Sequence, residues 1–307
     1  MVKRLLSCNA SDFAAMTPEE LKQSIKASEG RTVVSENVVV SQPLIPDITN
    51  AEVARAFGAD LILLNALDML KPVILGMYGN TTMAEAKPNK DVVRDLKKLL
   101  GRPVGANLEP VDDQAKMRES KLEIAEGRKV SAKTLKAANE LGLDFIVFTG
   151  NPGTGVSNEQ IVQAIKLAKQ HFNGLIVAGK MHGSGVDEPV VNLDAIKEFI
   201  EAGADIILVP AVGTVWGVGE SEIREAVKIA HEAGALVMST IGTSQETSDP
   251  ETIEKIAIDN KKLGVDMQHI GDAGPGGMAP PENIYALSKA IRGTRHTISM
   301  MARSILR

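Results

Sequence analysis

The chain has 307 residues, 44% of them hydrophobic, with a formal net charge of -5 at pH 7. That supports a sizeable core and argues against nucleic acid as a partner. Aromatic residues are 3%, a lone cysteine permits no internal disulfide, and no apolar run reaches the roughly 18 residues that span a bilayer.

The first segment, "MVKRLLSCNASDF", has two basic residues and almost no apolar stretch after them, which does not read as a signal peptide. A cytoplasmic protein with no membrane partner is expected. Cys8 reads as a small buried apolar residue. "TPEELKQSIKASEG" carries a helix start, with Thr17 as cap, Pro18 at the first position and Glu20 three residues after the cap. A helix ahead of a barrel would plug its bottom.

From Thr32 onward, strand-length apolar runs alternate with helical patterns. The runs begin at Thr32, Asp60, Arg102, Asp144, Gly174, Asp205, Leu236 and Asp266. A phrase recurs as "FGADLILLNA", "LGLDFIVFTG", "EAGADIILVP", "EAGALVMSTI" and "LGVDMQHIGD", in which a glycine ends a helix and a buried strand follows. Between the sixth and seventh runs, Ile223, Ala226, Val227, Ala230 and His231 fall at helical spacing. Eight strand–helix units predict an α/β chain folded as a (β/α)8 TIM barrel, with a doubly wound open sheet as the alternative. Residues 1–307 read as a single domain, with an N-terminal extension over 1–31 and a C-terminal tail helix over 294–307. Ile298, Met301 and Ile305 of the tail could pack on the body or on a second subunit, and a homo-oligomer is expected. The stretches after the second and third runs are long, as functional loops on the C-terminal face of a barrel are.

Alternate residues of a barrel strand face the interior and the helices. "PVGANLEP" sorts into Val104, Ala106 and Leu108 against Gly105, Asn107 and Glu109, and the polar set should look inward. In "GLIVAGKMHG", Lys180 and His182 share a face and are expected at the mouth, with Glu109 as the partner of Lys180. Glu109, Lys180 and His182 form the expected catalytic set, because an unpaired ammonium inside an apolar strand is costly without a purpose. Asn65, Asp68, Asn107, Asn151, His269 and Asp272 stand at or just beyond strand ends and are expected to bind substrate. His171 and His231 lie on helices and read as structural or solvated. Trp216, in the loop after the sixth run, reads as a lid or a substrate wall. A Glu, Lys and His set suits proton transfer beside a carbonyl, or a Schiff base on Lys180. Glu109, Asp68, Asp272 and a histidine could instead hold a divalent metal, although no metal-motif spacing is present and no cofactor is expected. Gly242, Thr243 and Ser244 in one loop, and Gly271, Gly274, Gly276 and Gly277 in "GDAGPGGMAPPEN", would offer backbone N–H groups to an anion where two helices begin.

With "IGDAGPGG" in the eighth unit, the chain resembles the phosphate-binding class of TIM barrels. It is also similar to an uncharacterised bacterial barrel family labelled phosphonomutase-like or haloacid-dehalogenase-like. The D-x-D nucleophile of haloacid dehalogenases is absent. So is the cysteine loop of the phosphonomutase and isocitrate lyase class, whose place "GKMHGSG" takes. Class I aldolases of this fold carry lysine on strand six, whereas Lys180 falls on strand five. The resemblance implies a small phosphorylated substrate, such as a sugar phosphate, and lyase, aldolase or isomerase chemistry. A phospho-ligand-binding barrel without catalysis and a metal-dependent lyase are the alternatives.

Overall fold

The computed structural model describes residues 2–307. Eight parallel strands close into a barrel in chain order: β1 (Thr32–Val38), β2 (Leu61–Asn65), β3 (Val104–Leu108), β4 (Phe145–Phe148), β5 (Leu175–Gly179), β6 (Ile206–Pro210), β7 (Leu236–Ile241) and β8 (Met267–Ile270). Two short helices, α1 (Ala10–Ala15) and α2 (Pro18–Lys26), precede the barrel. The outer ring is α3 (Asn50–Ala56), α4 (Val92–Leu100), α5 (Ala132–Leu141), α6 (Asn158–His171), α7 (Leu193–Ala202), α8 (Glu220–Glu232), α9 (Pro250–Leu263) and α10 (Pro281–Ala302). The expected tail helix is the far part of α10, set off by a non-helical Gly293. The open-sheet alternative is ruled out by the β1–β8 pairing, which joins Thr32 to Met267.

The recurring phrase has a physical basis. In four units an aspartate stands just before the strand and accepts an amide at the start of the neighbouring one. Asp60 takes Val33 N at 2.8 Å, Asp144 takes Val104 N at 2.8 Å, Asp205 takes Ile176 N at 3.0 Å and Asp266 takes Val237 N at 2.8 Å. The carboxylates thereby fix strand order at the barrel bottom and satisfy amides that would otherwise be orphaned. Helix starts are capped as the sequence requires: Thr17 accepts from Glu20 N while Glu20 accepts from Thr17 N.

Two apolar layers follow from strand alternation. Val34, Leu63, Val147, Val177, Leu208, Met238 and Met267 fill the interior. Leu5, Cys8, Phe13, Leu21 and Ile25 close it from below, so the segment ahead of the repeat is the plug. Val33, Ile62, Ala106, Ile146, Ile176, Ala178 and Val237 face the helices. Among the described residues, no helix is long and apolar enough to cross a membrane.

Candidate functional site

The C-terminal mouth holds a cavity of about 370 Å³. Four carboxylates line it, Glu36, Glu119, Glu246 and Asp272, and no Lys or Arg side chain does. Asn65, Asn107, Asn151, Met181 and His182 complete the wall with the loop from Gly242 to Ser244.

Glu36 is the anchor, and sequence reasoning missed it. It shares the inward face of β1 with Val34 and is 2% exposed. Its Oε1 accepts from Asn107 Nδ2 at 2.6 Å, and its Oε2 lies 2.8 Å from His269 Nε2. Three strands, β1, β3 and β8, thus converge on one carboxylate. The signal was present: an acid in "TVVSENV" on the parity of an apolar residue, a costly position unless paired.

Asp272 follows β8. Its Oδ2 accepts from Asn65 Nδ2 at 2.7 Å. Burial, then the neighbouring Glu36 charge, push its carboxyl pKa up to about 8, against the Asn65 hydrogen bond; Glu246 adds to the rise. Glu246 is likewise pushed up by burial, although it accepts from Ala273 N at 3.0 Å. Asn65 and Asn151 exchange amide hydrogen bonds of 2.9 and 3.1 Å.

His182 reaches the cavity from the turn after β5. Its Nδ1 accepts from Ser184 N at 3.0 Å, so a neutral ring carries its proton on Nε2. Burial lowers its pKa, which favours that neutral form. His182 is therefore a hydrogen-bond donor to the cavity rather than a base.

The three residues expected as a catalytic set are not brought together. Lys180 shares the face of Ile176 and Ala178 and points toward the helices. It pairs there with Glu188, outside the cavity. Burial depresses its pKa even so. The error in facing has a simple cause: "LIVAG" is apolar on both sides, so alternation gives no direction. Glu109 does not pair with Lys180. It accepts from Arg128 Nη2 at 2.6 Å and from Asn151 N and Nδ2, each at 2.9 Å. Glu109 thus sets the position of Asn151 from behind the cavity wall. Asp68 lies outside the cavity as well, its Oδ1 accepting from Leu70 N and Lys71 N.

The two glycine-bearing loops meet at the cavity through Gly271, which lines it together with Gly242, Thr243 and Ser244, while the later glycines do not. Thr243 and Ser244 both have positive φ, at 58° and 68°. The amides of Gly242, Thr243 and Ser244 make no hydrogen bond within the described residues. Gly271 N is spent on Ile241 O at 2.8 Å. Gly274, Gly276 and Gly277 do not line the cavity. Gly276 and Gly277 pack against the end of β1 and the β1–α3 connection, where a Cβ on Gly276 would stand 2.8 Å from Leu44 N and one on Gly277 2.8 Å from Val38 Cβ, and Gly274 packs against Met278 O of its own turn. Close packing accounts for those glycines, whereas the amides of Gly242–Ser244 stand unbonded at the cavity wall. Trp216 is 94% exposed and lines no part of the cavity.

The fit to a divalent metal is poor. Both Glu36 oxygens and Asp272 Oδ2 are engaged by protein donors. Among the described residues no group of three or more His, Cys, Asp or Glu is arranged to hold a metal ion.

Several solved structures are similar to the chain. A candidate lyase/mutase from Burkholderia cenocepacia J2315 is 17% identical, with TM-score 0.49 over 88% of this chain and 83% of that one. The 2,3-dimethylmalate lyase, a PEP mutase/isocitrate lyase superfamily member, is 12% identical, with TM-score 0.48 over 86% and 81%. Thiamine phosphate pyrophosphorylase from Pyrococcus furiosus is 14% identical, with TM-score 0.46 over 86% and 97%. No curated protein matches the chain in sequence. A family model described as "Domain of unknown function (DUF7916)" matches residues 6–307, and the chain belongs to that family.

Proposed function

We propose that the chain is a lyase or isomerase that moves protons on a small oxygenated metabolite held in the barrel mouth. The observation that carries this reading is Asp272: a buried carboxyl in the cavity wall whose pKa is pushed up to about 8. A group poised near neutral pH can both give and take a proton, which general acid–base catalysis needs. The cavity size, about 370 Å³, suits a small metabolite.

The roles follow from the donors and acceptors on the wall. Asp272, protonated at neutral pH, delivers its proton to a carbonyl or alkoxide oxygen of the substrate. His182 Nε2–H donates to the same developing negative charge. Glu36, held by Asn107 and His269, is the fixed acceptor on the inner wall, and its remaining lone pairs take the proton that leaves the carbon beside that carbonyl. The free amides of Gly242–Ser244 hold an anionic end of the substrate, the phosphoryl group of a phosphorylated metabolite, at the rim. The rim is the place for it, because the deeper wall carries carboxylates and no cation. No step is assigned to Lys180, which faces away, or to a metal.

Solvent-deuterium exchange tests the reading without knowledge of the full reaction. The protein is incubated in D₂O with a panel of small 2-oxo acids, hydroxy acids and sugar phosphates. Enzyme-dependent deuterium incorporation beside a carbonyl, abolished by Asp272→Asn, is expected. A panel with neither exchange nor ligand-induced stabilisation would remove proton transfer as the function.

A further inference from the structure

The opposite end of the barrel carries a second cavity of about 400 Å³, between α1, the C-terminal end of α4, the start of β3 and residues 305–307. Arg102 lines it and is 3% exposed, yet among the described residues its side chain makes no hydrogen bond and no ion pair. Its Nε is fully buried without a partner, and its guanidinium carbon lies 5.3 Å from the centroid of the Phe13 ring. A buried guanidinium without a hydrogen-bonded counter-ion is among the costlier arrangements a fold can keep. Burial drives its pKa down to about 10, with Asp60 opposing that shift and Arg55, Arg303 and Arg292 adding to it.

Asp60 is the one carboxylate that acts on this group, and it makes no hydrogen bond to it, although Asp60 Oδ1 is buried without a partner. Asp60 is fully buried, and its Oδ2 is already held by Arg292 Nη1 at 2.6 Å and by Val33 N. Asp60 thus acts on both Arg292 and Arg102, while Arg55, Arg303 and Arg292 repel Arg102. At the cavity, Lys97 is paired with Asp144 at 2.8 Å and Lys98 with Asp95 at 2.9 Å, whereas the Arg307 side chain, like that of Arg102, has no partner among the described residues. Two unpartnered guanidinium groups, one of them buried, thus border an open volume large enough for a small molecule. Planar guanidinium forks match phosphoryl oxygens.

We propose that this cavity is a second ligand site, which takes the phosphoryl group of a small molecule against Arg102. The site is remote from the mouth and independent of the chemistry assigned there. Free phosphate and a phosphomonoester share the recognised group, and affinity separates them.

The test is calorimetric titration of the full chain with inorganic phosphate and with glycerol 3-phosphate. Saturable binding is expected, at least tenfold weaker in Arg102→Met and several-fold weaker in Arg307→Ala, and unchanged in the mouth variant Asp272→Asn. The monoester binding at least tenfold tighter than phosphate supports a phosphorylated metabolite as the ligand, and equal affinities support free phosphate. Crystals soaked in selenate should show the anomalous selenium peak beside the Arg102 guanidinium, which keeps the test decisive if Arg102→Met does not fold. Titrations in which neither arginine substitution weakens any observed binding step, or anion density only at the mouth, overturn the proposal.

Discussion

Asn65, at the end of β2, donates a 2.7 Å hydrogen bond to Oδ2 of Asp272, which follows β8. The bond spans β1 and ties the carboxyl to a fixed point on the mouth. It lowers the Asp272 pKa, but burial and Glu36 outweigh it and the net value is about 8. The folded chain therefore holds this proton across a range where the unfolded chain, with an ordinary aspartate at 3.8, has lost it. The raised folded value means that the stability contributed by protonated Asp272 is complete below about pH 3.8, declines as pH rises, and is gone above about pH 8. Asp272→Asn removes this dependence. Urea unfolding of the two proteins should give a stability difference that moves in favour of the variant between pH 5 and pH 8, by on the order of a few kcal/mol. Parallel pH curves would place the carboxyl in an ordinary environment and withdraw it as an acid.

The same substitution bears on turnover. Removing a general acid costs about 10²–10⁴-fold in rate. Once a substrate is in hand, kcat for the wild type should fall on the alkaline side with a midpoint near the Asp272 value, and Asp272→Asn should lose that limb with most of the activity. An alkaline limb that persists in the variant would belong to another group.

His182 offers a test that needs no substrate. Ser184 N donates to its Nδ1, so ¹⁵N correlation spectra should show a protonated Nε2 and a bare Nδ1 at neutral pH. Its folded pKa lies below the ordinary 6.5, chiefly through burial. The stability it contributes is therefore complete above about pH 6.5 and is lost as pH falls through the lower folded value. The His182 resonances should start to titrate only below pH 6.5. Proton on Nδ1 at pH 7 would reverse the assigned role from donor to acceptor.

The fold was legible because each unit repeats the same local chemistry. Capped helix starts, glycine stops and a strand-opening aspartate all agree at Asp60, Asp144, Asp205 and Asp266, so eight units could be placed with starts no more than two residues from the observed strands. The site was legible only where a strand carried its own asymmetry. Asn107 stands on the polar side of "VGANL" and does face inward. β5 is apolar on both faces, and there the direction of Lys180 was undetermined. Glu36 stood on the parity of Val34, which marks a buried acid but not its role, because its partner His269 lies 233 residues away, and Ala273, the partner of Glu246, lies 27 residues away; only the closed barrel brings them near.

The glycines after β8 predict a purely mechanical phenotype. Gly276 and Gly277 have φ of 73° and 81°, and a Cβ on either would meet the β1–α3 connection. Gly276→Ala should cost about 1–3 kcal/mol from left-handed backbone strain together with the close approach to Leu44. Ligand affinity at the mouth should stay within a factor of a few, because Gly276 lies outside the cavity wall. Normal stability with a large loss of affinity would return this loop to the anion site.

Lys180 gives the sharpest contrast between a residue that is costly to bury and one that does chemistry. Its side chain is fully buried, and its ammonium contacts Glu188, whose side chain is 24% exposed. Glu188 in turn accepts from Asn158 N at 2.8 Å, the first residue of α6. The pair therefore links the end of β5 to the start of a ring helix, on the far side of the strand from Met181 in the cavity wall. Lys180→Met fills the volume but leaves Glu188 beside an apolar group, and breaking such a pair costs about 3–5 kcal/mol. Changing both partners, Lys180→Met with Glu188→Gln, keeps the Asn158 acceptor and removes the stranded charge, so it should recover most of that loss. Chemical denaturation of the two single variants and the double gives the coupling directly. Folded Lys180→Met should retain mouth-ligand binding and deuterium exchange within a few-fold of wild type. A variant that unfolds normally yet exchanges no deuterium would put the ammonium back among the reacting groups, and the stability recovered in the double variant would then have to be explained without a structural pair.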